Sequence, residues 1–211
     1  MKTLAIISRK GGSGKSTIAV HLAAYSLAQN FLPALVDLDP QASAFDWNSG
    51  RVDNDPVSPK LSVIKAAPAD LPKLKKVAED NGVTLLIIDT APHADSAAAA
   101  AAKLADFALI PCRPARFDMK AIGSTVEIAK LSNTAAAVVI NAAPPTGRMA
   151  GQARTALEAQ GIKVIPPVLH QRAAFSHALT DCRAVHEYDP EGKAAEEIAA
   201  LFDCIKQGLR L

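Results

Sequence analysis

The chain has 211 residues, 49% of them hydrophobic and 21% charged, with 23 Lys and Arg against 21 Asp and Glu and a formal net charge of +2. That length suits one sizeable α/β domain, residues 1–211, and is short for two; the net charge by itself says little about partners, and no run of about 18 uncharged apolar residues is present to span a membrane. Three widely spaced cysteines, Cys112, Cys182 and Cys204, with no C-x-x-C pair, exclude a disulfide scaffold or a zinc or iron–sulfur site and suit reduced cytosolic thiols.

In chain order, an apolar run at Leu4–Ile7 reads as a buried strand and Lys15 to about Asn30 as a helix, joined by the glycine-rich turn RKGGSG. In a strand–loop–helix setting, Gly11, Gly12 and Gly14 let successive backbone N–H groups point inward, and the helix N-terminus adds its partial positive charge. Ser13 completes this cradle for phosphate. Lys15 reaches the β- and γ-phosphates, the Ser16 hydroxyl ligates Mg²⁺ and Thr17 lies near the α-phosphate.

Ala34–Asp37 is a second short strand and ends in DLDPQ, where Asp37 and Asp39 would repel each other unless a cation or hydrogen bonds compensate. Leu61–Ala66 is a strand, and Asp70 and Pro72 open a helix to about Asp80 that Gly82 closes. Val83–Ile88 is a fully apolar strand stopping at Asp89, the position from which a carboxylate holds Mg²⁺ beside a phosphate loop, usually through water. Ser96–Lys103 is helical by composition, Phe107–Pro111 a strand, Asp118–Leu131 an amphipathic helix, and Ala135–Ile140 a strand ending at Asn141. Met149–Gln160 is a helix, Ile162–Ile165 a strand stopped by Pro166 and Pro167, and Glu191 to about Gln207 the last helix. Apolar strands alternating with helices imply a mostly parallel sheet covered on both faces.

The segment KGGSGKST, with Arg9 where the common motif has its first glycine and Lys10 before the glycine pair, resembles the deviant Walker A motif K-G-G-x-G-K-[ST] of the ParA/MinD ATPases. DLDPQ is similar to that family's D-x-D-P-Q segment and DTAP to its Walker B segment, and the likeness extends to YDPEGKAAEEIAAL near the C-terminus. The resemblance implies a P-loop NTPase fold of the deviant Walker A type and a Mg²⁺-dependent ATPase with slow basal turnover. Lys10 would act in trans in an ATP-bound homodimer, Asp39 would orient the attacking water, and Asp37 would support the Mg²⁺ shell. Asn141 would bond adenine, with backbone near Pro166 and Pro167 completing the pocket.

The chain looks like the small plasmid- or cargo-type ParA proteins, which are cytoplasmic, coat nucleoid DNA non-specifically as ATP dimers, and release it when a small ParB-like or adaptor partner stimulates hydrolysis. Residues 103–186 carry ten basic and five acidic side chains, and the candidate DNA contacts are Arg148 and Arg154 at the start of a helix and Arg172, placed where the family has a DNA-binding arginine. Two alternatives stand beside this reading: a membrane-associated ATPase like MinD, and a metabolic ATP-dependent ligase of the same fold. The C-terminal segment EEIAALFDCIKQGLRL has more acid than base toward its start and suits a packed helix better than a membrane anchor. Plasmid, chromosome, protein microcompartment and chemoreceptor cluster all remain open as cargo.

Overall fold

The computed structural model describes residues 1–54 and 61–211. Among these, seven parallel strands form one sheet: β1 (Lys2–Ile6), β2 (Pro33–Asp37), β3 (Ser62–Lys65), β4 (Leu85–Asp89), β5 (Phe107–Cys112), β6 (Ala136–Ala143) and β7 (Val164–His170), in the order β3-β2-β4-β1-β5-β6-β7. Because side chains alternate across a strand, each inner strand feeds two cores. Leu4, Ile6, Leu35, Leu85, Ile87 and Leu109 pack under α1 (Lys15–Ala28), α2 (Ser43–Asn54), α7 (Ala173–Thr180), α8 (Val185–Tyr188) and α9 (Lys193–Leu209). Ala5, Ile7, Val36, Leu86, Ile88 and Ile110 pack on the other face, under α3 (Leu71–Asp80), α4 (Asp95–Leu104), α5 (Arg116–Leu131) and α6 (Met149–Glu158). The expected mostly parallel sheet with helices on both faces is therefore present, here wholly parallel.

The chain leaves β1 toward one edge of the sheet and leaves β5 toward the other. Between the C-terminal ends of these neighbouring strands the sheet opens into a crevice, the usual place for a ligand in this architecture.

Three parts of the chain differ from the sequence reading. Helix α2, SAFDWNSGRVDN, was not expected, since Asn, Ser, Gly and Asp favour turns. Tertiary contacts form it: the Asp37 carboxylate accepts the N–H groups of Ala44 and Phe45, Ala44 and Trp47 are buried, and the Arg51 guanidinium meets the Glu187 carboxylate of α8 at 2.5 Å. Helices α7 and α8 were likewise not expected.

Strand β7 is not stopped by its prolines; it runs through both of them to His170. It is an edge strand, where proline's missing N–H does little harm. Val138 pairs with Val164 and Ile140 with Val168, so β7 bulges at Pro166–Pro167, and the Arg154 guanidinium donates to the carbonyls of Val164, Ile165 and Pro166 there.

Candidate functional site

Beyond β1, Ile7 and Ser8 are buried and the chain turns through Gly12 (φ +68°) and Gly14 (φ +93°), both left-handed, so that an L side chain would be strained at either. The Asn141 amide, reaching over from β6, donates to the Ser13 carbonyl at 2.7 Å, and a Cβ on Gly14 would collide with it. Helix α1 then starts with no side-chain cap and no acid in its first turn. Its leading N–H groups, left unsatisfied by the helix itself, are open to an anion. Lys15 is buried behind them, and burial lowers the pKa of its ammonium, partly offset by Asp89 and Asp39.

Asp37 and Asp89 lie opposite each other at the ends of neighbouring strands β2 and β4. Their surroundings separate their roles. Asp37 accepts the N–H groups of Asp39 (3.0 Å), Ala44 (3.0 Å) and Phe45 (3.2 Å), so both of its oxygens are committed to the turn and to starting α2. Asp37 thus has a structural task at the turn. Asp89 is completely buried and neither of its oxygens has a well-aligned hydrogen-bond donor. Burial, reinforced by the charges of Asp37 and Asp39, pushes its carboxyl up to about 7, against the pull of the Ser16 hydroxyl and of Lys15.

A wholly buried carboxylate with so little hydrogen bonding is costly unless a further cation joins it. Asp89 with the neighbouring Ser16 therefore fits Mg²⁺. No group of three metal-ligating side chains exists among the described residues, as expected where phosphates and water supply most of the shell. Asp39, half-buried, spends one oxygen on the Gln41 N–H at 3.0 Å.

On the outer side, the His93 N–H donates to the Arg9 carbonyl and the Arg9 guanidinium pairs with Asp95 at 2.8 Å, joining the phosphate loop to the segment after β4. Lys10 is exposed, with no partner for its ammonium among the described residues.

On the inner side a cavity of about 310 Å³ runs from Gly14 and Thr17 to Asn141, Arg172 and Phe175. It extends the phosphate cradle with room and apolar surface for a base. Its far wall is the end of β7 and α7, at Leu169, His170 and Gln171; Pro166 and Pro167 are not part of it, because the strand continues past them. Asn141 does border the cavity, although its amide is turned to Ser13.

The three arginines expected to touch DNA are not brought together. Arg154 is held by the β7 carbonyls and pairs with Glu158 at 3.8 Å. Arg172 donates through Nε (2.9 Å) and Nη2 (2.6 Å) to Glu197 of α9, which also accepts from the His170 backbone N–H. Of the three only Arg148 is exposed; Arg116 and Lys120 of α5 are exposed too, with no side-chain partner among the described residues. The sequence reading missed the α7 wall of the cavity, because eight residues of mixed polarity carry no helical period.

The family described as the CobQ/CobB/MinD/ParA nucleotide binding domain matches residues 4–182. The chain is similar to the maintenance of carboxysome distribution protein A of Halothiobacillus neapolitanus, 31% identical over 95% of this chain and 94% of the relative. The protein of the same name from Gloeobacter kilaueensis is 32% identical over 99% and 94%. Among solved structures, the septum site-determining protein MinD of Pyrococcus horikoshii, complexed with Mg-ADP, superposes with a TM-score of 0.78 at 16% identity, covering 98% of this chain and 96% of that one, a likeness of fold.

Proposed function

Because the chain belongs to the CobQ/CobB/MinD/ParA nucleotide-binding family, we propose that it is a Mg²⁺-dependent ATPase switch that pairs with a second copy when ATP is bound and positions a large cargo. The observation that carries this reading is the fully buried Asp89 carboxylate, with the Ser16 hydroxyl and buried Lys15 beside it, at an uncapped helix N-terminus. Such a place suits a phosphate and its divalent cation together. Mg²⁺, held by Ser16 and Asp89, would neutralise charge on the phosphates. Lys15 holds the terminal phosphates, and Asp39 orients the attacking water. Lys10, exposed at the loop entrance, is free to reach the nucleotide of a second copy.

Full-length likeness to two carboxysome-distribution proteins, against 26% identity to a Rhizobium radiobacter ParA, favours a protein compartment over a plasmid as cargo. The track we propose is DNA held through phosphate contacts by Arg148, Arg116 and Lys120, which replace Arg154 and Arg172 in that role. A membrane is disfavoured as track, since Ile198, Leu201, Phe202, Ile205 and Leu209 of α9 are all buried in the core and no described helix is long and apolar enough to cross a bilayer.

The test is light scattering and co-sedimentation with DNA or with liposomes, each with and without Mg·ATP. Mg·ATP should double the mass and bring the protein down with DNA of any sequence, with binding that weakens steeply as salt rises. A chain that stays monomeric with ATP would remove the switch, and liposome binding in place of DNA would transfer the track to the membrane.

A further inference from the structure

Arg113 follows the last residue of β5, at the crevice where the chain departs from β1 and β5 in opposite directions. Its direction is fixed by two local rules. Ile110 and Cys112 pack in the core under α5, so the alternation of the strand turns Leu109 and Arg113 toward the face that carries α1. Pro114 then holds Arg113 in an extended conformation. The outcome is a guanidinium lying over the phosphate loop: a Cβ built on Gly12 would meet Nη2 at 3.2 Å, Cζ at 3.8 Å and Nη1 at 4.0 Å. No carboxylate or carbonyl takes its donors among the described residues, although Asp39 and Asp95 occupy the same end of the sheet. It lines the cavity that also contains Gly14 and Thr17.

We infer that Arg113 is a phosphate-binding residue of this site, meeting the terminal phosphates of the nucleotide held in its own protomer. The inference rests on the nucleotide reading above and assigns a further group to it. A magnesium nucleoside triphosphate keeps a net negative charge. From within one protomer the loop sets only Lys15 against that charge, while Asp37, Asp39 and Asp89 stand behind it. Lys10 is exposed and, on the reading above, serves a second copy. A planar guanidinium with five donors supplies both the missing charge and a paired grip on phosphate oxygens. Its place above Gly12 is on the loop-entrance side of Gly14, and Thr17, on the first turn of α1, lies on the far side; the terminal phosphates and not the α-phosphate therefore fall to it.

The experiment separates this role from an action across the dimer by using a Lys10→Ala background, in which ATP binding reports one protomer alone. Affinities for Mg·ATP and for AMP are measured with fluorescent analogues, and folding is monitored through thermal melting. Arg113→Gln should weaken Mg·ATP by about 10-fold or more, the scale of a lost charge-assisted contact, and leave AMP unchanged. Arg113→Lys should recover part of the loss. ATP affinity within about twofold of the Lys10→Ala parent, or an equal fall for AMP, overturns the inference. If the parent and the wild type both fail to bind ATP, the nucleotide reading itself falls; if they bind and only the Arg113 series is flat, that reading stands and Arg113 alone is removed.

Discussion

The two ends of the candidate nucleotide site are built in different ways. The phosphate end is a contiguous piece of chain: eight residues from Lys10 to Thr17 supply the curled backbone, the helix N-terminus, the buried ammonium and the hydroxyls. The nucleoside end is assembled from β6, the bulged end of β7, α7 and, behind them, α9, where Glu197 holds the Arg172 side chain 25 residues away and the His170 backbone 27 residues away. Backbone N–H groups in a short loop keep their arrangement if the loop is intact. Side chains gathered from distant elements keep theirs only if the core behind them is intact. The first end should therefore fail through its chemistry and the second through its packing.

The largest effect is expected at Lys15. Lys15→Ala removes the charge that faces the phosphates and leaves Asp89 buried with less compensation, so affinity for Mg·ATP should fall by at least about 100-fold while the melting temperature hardly changes. Titration calorimetry showing wild-type affinity would dissolve the contrast at its strong end. Next is Asp39→Ala, which should bind ATP, accumulate as dimer and hydrolyse on the order of 100-fold more slowly. Phosphate release in single turnover measures it, and a variant that cannot bind ATP would make Asp39 part of the cradle instead.

The same division governs what the sequence discloses. KGGSGKST and the strand-ending Asp89 were legible because their chemistry depends on spacing along one stretch of chain. The structural task of Asp37 was not legible, because DLDPQ says that two acids are close and does not say that one of them accepts the N–H groups of Ala44 and Phe45 in a helix of poor helix formers. Pro166 and Pro167 end a strand by local rules, yet an edge position, a bulge and a guanidinium from α6 carry β7 through them. Arg154 and Arg172 read as DNA contacts, Arg172 with a salt bridge to Asp181 or Glu187 as the alternative, since nothing local marks the carbonyls of β7 or Glu197 as their partners. Arg113 left no trace in any motif, and only the pairing of β5 with β1 brings it over Gly12.

A third test works on the assembled end. Glu197→Ala leaves the His170 N–H and the Arg172 guanidinium without their acceptor, each of them only partly exposed, and should cost about 2–4 kcal/mol of stability in urea unfolding. Glu197→Gln should recover some of this through the retained amide oxygen. ATP affinity should fall by less than in Lys15→Ala, because the phosphate loop does not touch Glu197. A stability change below about 0.5 kcal/mol would mean that α9 does not organise this wall.

The smallest effect is a slope with pH, and it again belongs to the packed side. His21 lies on the inner face of α1, completely buried, with its ring against Phe175 of α7 at 5.3 Å and Nδ1 accepting the Val185 N–H at 3.3 Å. Nε2 has no partner. Burial, with a further push from His186 and a partial offset from Glu187, lowers its pKa from 6.5 to about 3. A histidine with a folded-state pKa below its unfolded value adds nothing to the pH dependence while both states are neutral, above about pH 6.5. As pH falls from there the unfolded chain takes up a proton that the folded chain refuses until about pH 3, so stability is lost across that window at up to about 1.4 kcal/mol per pH unit. His186, on α8 between Glu187 and Arg51, is lowered by burial as well and adds a loss of the same sign. Glu187, lowered by Arg51 and the Ala184 N–H against its own burial, adds its loss only below the ordinary carboxylate range. Asp89, pushed up to about 7, gains a proton on folding in the same window and opposes this loss, so the readout in urea unfolding is the change on substitution: from pH 7.5 to 5.5, His21→Leu should lose about 1 kcal/mol less stability than the wild type, with the phosphate loop unaltered. An unchanged difference between the two pH values in the variant would free His21 and α1 of the acid sensitivity.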